Sequence, residues 1–298
     1  REDPGIDTMR PRKARFLSFD ETNTYFVGVN LGVRRSQVGL TTLSGEITDE
    51  IEFETPTRPA EALRLAKRRI EELIKANPGR ELSVIGVSVP GMTDASRKRL
   101  IFAPNLDWRD VDIGEGLKID ERARVIVEND STAAAMYEAR LKIRDSDDGL
   151  MTNFILVRSG TGIGVGLVIG GRVFRGSGIA GEFGHMTIVA GGKPCVCGNR
   201  GCWEKYASAA SAASLYLGDR PPARGESAPR FVEIVAKAEV GDIRSRKTLE
   251  KIGDYLGIGI ANVIMGIGIP RVIISGRLVY GWQFIEEPMK EAIRRSII

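Results

Sequence analysis

The sequence predicts an α/β fold of two domains facing each other across a cleft, and three observations predict it. From Tyr25, YFVGVNLGVRRSQVGLTTLSGEITDEIEF reads as a strand, a glycine turn at Gly32, a strand over Gln37–Thr42, a Ser44-Gly45 turn and a strand over Ile47–Phe53. The same unit returns from Asn153, roughly 130 residues later. There the strands are Phe154–Val157, Gly164–Ile169 and Arg172–Phe174, separated by a glycine-rich turn and by Gly170-Gly171. Between the copies lie a helical pattern and two further apolar strands, the alternation expected of an α/β chain.

The helix is Pro59–Lys75. Pro59 suits a first turn, Leu63, Ala66, Ile70, Leu73 and Ile74 share one face, and Asn77-Pro78-Gly79 ends it. Leu82–Val89 and Val125–Val127 read as buried strands, and Ser131 opens an alanine-rich helix. At that last join Asp130 can cap the helix, which accounts for the Asn129-Asp130 pair fully. The sharper alternative is a carboxylate at the end of a strand, facing the cleft and able to take a hydroxyl proton as general base. The run Ser159–Gly164 is not a dinucleotide fingerprint, because a β-rich segment rather than a helix follows its glycines. Gly160, Thr161 and Gly162 form either an anion cradle of backbone N–H groups or a tight turn without a ligand; both readings stay open.

Composition narrows the classes. A chain of 298 residues with 42% hydrophobic content can build a substantial core, and its length favours two domains. The densest apolar stretch, Ile258–Ile274, is interrupted by Gly259, Gly266, Gly268, Pro270 and Arg271 and reads as core rather than a membrane span. The first residues lack the apolar centre of a signal peptide. Three cysteines cannot all pair within one chain, so a reducing cytoplasm is the expected compartment. The net charge of +4 does not by itself imply nucleic acid. Much of the excess sits in one arm, at Arg10, Arg12, Lys13 and Arg15.

One stretch, Gly184–Tyr206, holds the only histidine and all three cysteines: His185, Cys195, Cys197 and Cys202. One imidazole and three thiolates suit tetrahedral zinc, and Gly191-Gly192, Gly198 and Gly201 let the chain curl around a single ion. The plain alternative is a set of buried free cysteines with one satisfied histidine. Four protein ligands close the shell, so the Zn2+ is expected to be structural, pinning a loop that carries Glu182 and Glu204.

These residues resemble a known family. Cys-x-Cys-Gly-x-x-Gly-Cys, with Glu182-Phe183-Gly184-His185 upstream, is similar to the ROK family of bacterial sugar kinases and sugar-sensing transcriptional repressors. SVPGM at Ser88–Met92, APNL at Ala103–Leu106, VEND at Val127–Asp130 and SGTGIGVG at Ser159–Gly166 follow in the family's order, and the resemblance runs from about Met9 onward. It implies two actin-like, hexokinase-like (ribonuclease H-like) domains around the cleft. These would span residues 25–132 and 133–298, with the zinc loop at 185–202. It further implies that Asn129, Asp130, Glu182, His185 and Glu204 hold sugar hydroxyls, with Gly91 and Asn105 nearby. His185 would give one nitrogen to zinc and the other to sugar. Asp130 would be the base in a kinase.

The departures point to a regulator. Family kinases hold ATP phosphates on an Asp-x-Gly-Gly-Thr turn, and here that place reads Asn30-Leu31-Gly32-Val33-Arg34. Gly32, Gly160, Thr161 and Gly162 are then remnants of a phosphate site. Phosphoryl transfer depends on positioning and charge neutralisation, so losing the turn removes most kinase activity and spares the sugar pocket. Residues 1–24 are similar to the basic linker that joins a winged helix-turn-helix to the sugar domain in family repressors. DNA contact is therefore expected through a module not in this chain, with no membrane partner and a homodimer or homotetramer as the assembly. ATP and Mg2+ enter only under the alternative, a hexose kinase. Ile297-Ile298 ends an apparent helix without a cap, and family members usually continue further.

Overall fold

The computed structural model describes residues 24–145, 152–176, 180–218, 220–222 and 227–297. The expected arm at Arg10, Arg12, Lys13 and Arg15, and nearly all of the expected linker, lie outside the described residues.

The expected repeat is present as two sheets built to one plan. In the first, β1 (Thr24–Asn30), β2 (Arg35–Thr41) and β3 (Ile47–Glu54) form an antiparallel meander, and helix α1 (Pro59–Ala76) leads into β4 (Glu81–Val89). Strands β5 (Met92–Thr93), β6 (Arg99–Ala103) and β7 (Trp108–Asp112) form a separate small sheet. The short helix α2 (Ile113–Gly116) then leads to β8 (Arg124–Asn129). β4 and β8 add in parallel, giving the order β3-β2-β1-β4-β8. Helix α3 (Asp130–Asp145) carries the chain to the second sheet. There β9 (Phe154–Ser159), β10 (Ile163–Ile169) and β11 (Arg172–Phe174) repeat the meander, and β12 (Val272–Gly276) adds in parallel to β9. Between β11 and β12 lie α4 (Glu204–Ala207), α5 (Ser211–Leu217), α6 (Phe231–Glu239) and α7 (Ile243–Ile267); α8 (Trp282–Ser296) follows β12.

Local sequence explains the elements that carry the site. In α1, Pro59 occupies the first turn and Ala62, Leu63, Ala66, Ile70 and Leu73 are buried on one face. β1 alternates buried and half-buried residues, whereas four successive residues of β9 are buried, as befits a strand covered on both faces. Asp242 caps α7 through the Ser245 N–H, and Gly268, at φ +76°, ends it in the left-handed region. The apolar stretch Ile258–Ile274 supplies the end of α7 and part of β12, with Ile260, Ala261 and Val263 buried. A large cluster of buried apolar side chains accompanies each sheet, Val27, Val29 and Ile85 belonging to the first and Val157, Val165 and Leu256 to the second. Among the described residues no helix is long and apolar enough to cross a membrane.

Candidate functional site

The join between β8 and α3 departs from the expected cap. Asn129, not Asp130, caps the helix: its Oδ1 accepts from the N–H groups of Ser131 (2.9 Å) and Thr132 (3.1 Å). Its amide also donates to the Gly91 carbonyl at 3.0 Å, leaving one N–H for any ligand. With the cap supplied by its neighbour, the Asp130 carboxylate is released toward the cavity between the sheets.

That cavity, of about 220 Å3, gathers residues far apart in sequence. Gly91, Asn105, Asn129, Asp130, Glu182, His185 and Glu204 all line it, as do Gly32, Gly160, Thr161 and Gly162. The glycines permit close approach. A β-carbon on Gly91 would stand 2.5 Å from the Phe102 carbonyl oxygen, and one on Gly164 1.9 Å from the Ser131 hydroxyl. Gly32 is held in its turn by Thr55, whose hydroxyl donates to the Gly32 carbonyl at 2.8 Å. At Asn30 the side-chain oxygen accepts from the Ser88 hydroxyl at 3.0 Å.

Several titratable groups of the wall lie close together. Glu182 Oε2 lies 3.9 Å from His185 Nε2, and Glu204 Oε1 lies 3.8 Å from His185 Nδ1. Burial pushes the Glu182 carboxyl above its usual range, and the neighbouring Asp130 and Glu204 add to the shift against His185. Burial likewise raises Asp130, opposed chiefly by Arg158. Arg158 is a residue that the sequence did not flag. From β9 its Nη1 reaches Asp130 Oδ2 at 2.5 Å, and it lines the cavity with Arg277, from the turn after β12. Its signal in sequence was an arginine in an otherwise apolar strand, FILVRS. Behind the site, the buried Glu128 pairs with Arg175 at 2.8 Å and Arg97 at 3.3 Å, bracing β8 against the segment after β11.

His185, Cys195, Cys197 and Cys202 converge, their donor atoms all within 4.8 Å of one another. The Cys197 and Cys202 sulfurs are 3.7 Å apart, and Cys195 Sγ lies 3.6 Å from His185 Nδ1. A tetrahedron with metal–sulfur bonds of about 2.3 Å and metal–nitrogen bonds of about 2.0 Å has edges of roughly 3.5–3.8 Å, so the donors fit such a metal. Burial pushes the thiols of Cys195 and Cys202 up, so a bound cation would be what holds them as thiolates. The loop is shaped by Gly198 and Gly201, at φ +95° and +79°. Thr187 bridges to Cys202 and Pro194 to Arg200. His185 thus turns Nδ1 to the cysteines and Nε2 to Glu182.

A fold of paired mixed sheets with this cavity and cluster defines an α/β protein of the sugar kinase-like class. Residues 26–298 match the model of the ROK family, and the chain belongs to that family. It is 31% identical over 291 residues to the xylose repressor of Bacillus subtilis (strain 168), covering 96% of this chain and 73% of the repressor. It is similar to the ROK family glucokinase from Streptomyces griseus in complex with glucose and AMPPNP, with a TM-score of 0.75, 26% identity and coverage of 92% of this chain and 90% of that one. The fold is also that of a ROK family transcriptional regulator, a homolog of the E. coli MLC protein, with a TM-score of 0.78 at 24% identity and coverage of 94% and 72%. Repressors and kinases therefore both stand among its relatives.

Proposed function

We propose that this chain is the sugar-sensing effector domain of a ROK-type transcriptional regulator, with Zn2+ held structurally by His185, Cys195, Cys197 and Cys202. The two sheets then mark two actin-like domains, 25–132 and 133–298, that close on a sugar. One observation carries the reading. Arg158 pairs with Oδ2 of Asp130, the carboxylate that in a kinase would accept a proton from the attacking hydroxyl. A guanidinium there opposes the rise in basicity that burial gives the carboxylate and competes with a hydroxyl for it. The turn Asn30–Arg34 supports the same conclusion, since Val33 stands where backbone must approach phosphate.

In this reading Glu182, Glu204, His185 Nε2, Asn105 and the free amide N–H of Asn129 bind hydroxyls. A pocket of buried groups that need partners rejects sugars that fail to supply them. Sugar binding shifts the relative angle of the domains only as far as it prefers one closure state. The signal would pass to DNA through a module outside these 298 residues, in a cytoplasmic homodimer or homotetramer.

Glucokinase relatives favour a second reading, an ATP-dependent hexose kinase with Asp130 as base. Calorimetric titration of the zinc-loaded protein with magnesium-ATP, alone and after saturation with a sugar found by thermal-shift screening, decides between them. Sugar binding without ATP binding or turnover is expected. ATP binding that tightens with sugar, and sugar phosphorylation abolished by Asp130→Asn, would establish the enzyme.

A further inference from the structure

Residues 24–129 build the first sheet and the small sheet, and residues from 130 onward build the second sheet and its helices, so the chain crosses between them once, at the join of β8 and α3. Past that join α3 belongs to the second sheet: Ala135 and Ala139 pack with Phe154, Leu156 and Val168. A single backbone joint fixes a distance but leaves an angle free, because each residue keeps two soft torsions. Among the described residues one ion pair spans the joint, Arg175 with Glu128. Arg175 Nε donates to Glu128 Oε2 at 2.8 Å, and its Nη2 lies 3.2 Å from the Met136 sulfur on α3. Glu128 immediately precedes Asn129, and its side chain is only 8% exposed. Arg97, from the turn between β5 and β6, reaches the same oxygen at 3.3 Å. The Arg97 backbone, at φ +58°, is tied to β8 by the Val127 N–H, which donates to its carbonyl at 2.9 Å. These three charges line a second cavity, of about 110 Å3, and stay out of the larger one; Asn129 and Glu182 line both.

Resting on the sugar-sensing reading, we propose that Arg175 is a positioning residue for the sugar: its bond to Glu128 locks the two sheets at the angle that lets both walls of the cleft reach one ligand. Gly91, Asn105 and Asn129 stand on the Glu128 side of the joint, and Glu182, His185 and Glu204 on the Arg175 side. With the lock formed, the two walls enclose one cavity. With the lock released, only a fraction of the molecules presents both walls at once, and the apparent affinity falls by that fraction. Burial strengthens the bond, because opposite charges attract more strongly away from water. Arg97 makes the lock reversible. When Arg175 leaves, Glu128 keeps a cation from its own side of the joint, so opening strands no bare buried carboxylate.

The test is small-angle X-ray scattering and calorimetry of the zinc-loaded chain and its Arg175→Gln, Arg175→Lys and Arg97→Gln variants, each with glucose, N-acetylglucosamine and xylose. Sugar-free Arg175→Gln is expected to have a larger radius of gyration than the sugar-free wild type, and saturating sugar to return it to the wild-type value. Its affinity for a sugar that binds the wild type is expected to be about tenfold lower. Arg175→Lys, which keeps the charge, is expected to recover part of both. Arg97→Gln removes a partner of the same carboxylate without crossing the joint, and is expected to leave the radius unchanged. A wild-type radius in Arg175→Gln, or an unchanged affinity, overturns the proposal and leaves the sugar reading standing. Equal expansion in Arg97→Gln overturns it too, since loss of charge balance rather than of the crossing bond would then open the cleft. If no sugar binds the wild type, the sugar reading falls and the positioning role with it.

Discussion

The Glu204 carboxylate fills the space that a side chain at position 162 would need. A β-carbon on Gly162 would stand 2.3 Å from Glu204 Oε2 and 3.5 Å from Asn105 Nδ2. The glycine turn after β9 is therefore what lets an acid of the metal loop and an amide from the turn between β6 and β7 meet in one cavity. Gly162→Ala is expected to displace Glu204 and lower sugar affinity about tenfold or more, the loss of one hydrogen bond to a charged group. Metal content measured on the same sample reads whether the displaced Glu204, whose Oε1 lies 3.3 Å from Cys195 Sγ, carries the disturbance to the metal loop.

The metal cluster and the cavity share His185. Cys197→Ser, or chelation of the wild type, is expected to release zinc and lower sugar affinity together, and to lower Tm by roughly 5 °C or more. Elemental analysis and titration on matched samples check this. Sugar affinity that survives full metal loss would show that the loop holds Glu182 and Glu204 without an ion.

Arg158→Gln leaves Asp130 buried without its cation. Burial already raises this carboxyl, and removing Arg158 raises it further. A carboxyl raised in the folded state costs stability as pH climbs from its unfolded pKa through its folded one. The deficit of the variant is therefore expected to be small near pH 4 and to grow as pH rises, to about 1–2 kcal/mol for a partly exposed pair. Thermal unfolding of both proteins across that range reads it. A constant gap would show that the pair stabilises by packing alone.

Trp203, fully buried directly after Cys202, packs against α7, and its indole N–H donates to the Tyr255 carbonyl at 2.9 Å. A β-carbon on Gly259 would stand 2.1 Å from the indole ring. Gly259→Ala is expected to cost about 1–3 kcal/mol by overpacking and to weaken metal retention through the adjoining loop. Denaturant unfolding and the rate of zinc release to a chelator measure the two effects.

The repeated meander was legible because it is local. Each copy is written in alternating apolar residues and glycine turns, and the observed β1–β3 and β9–β11 lie within a few residues of the expected spans. The four soft donors were equally plain, since His185 and the cysteines fall within one loop whose glycines dictate its curl. The small sheet β5–β7 went unread because its strands are two to five residues long and carry no sustained period. The cap at Asn129 was misassigned to Asp130 because both residues can cap a helix, and only the backbone path decides which side chain reaches the free N–H groups.

The sequence by itself determined the two meanders, the duplication and the chemistry of the metal loop, all set by neighbours within a turn or a hairpin. Tertiary structure alone decided that Arg158 lies on Asp130, that Arg277 lines the same cavity, and that Glu204 rests on Gly162. These pairs are separated by 28 to more than 100 residues. Their meeting depends on how parallel strands and one long helix pack, and no local pattern encodes that distance.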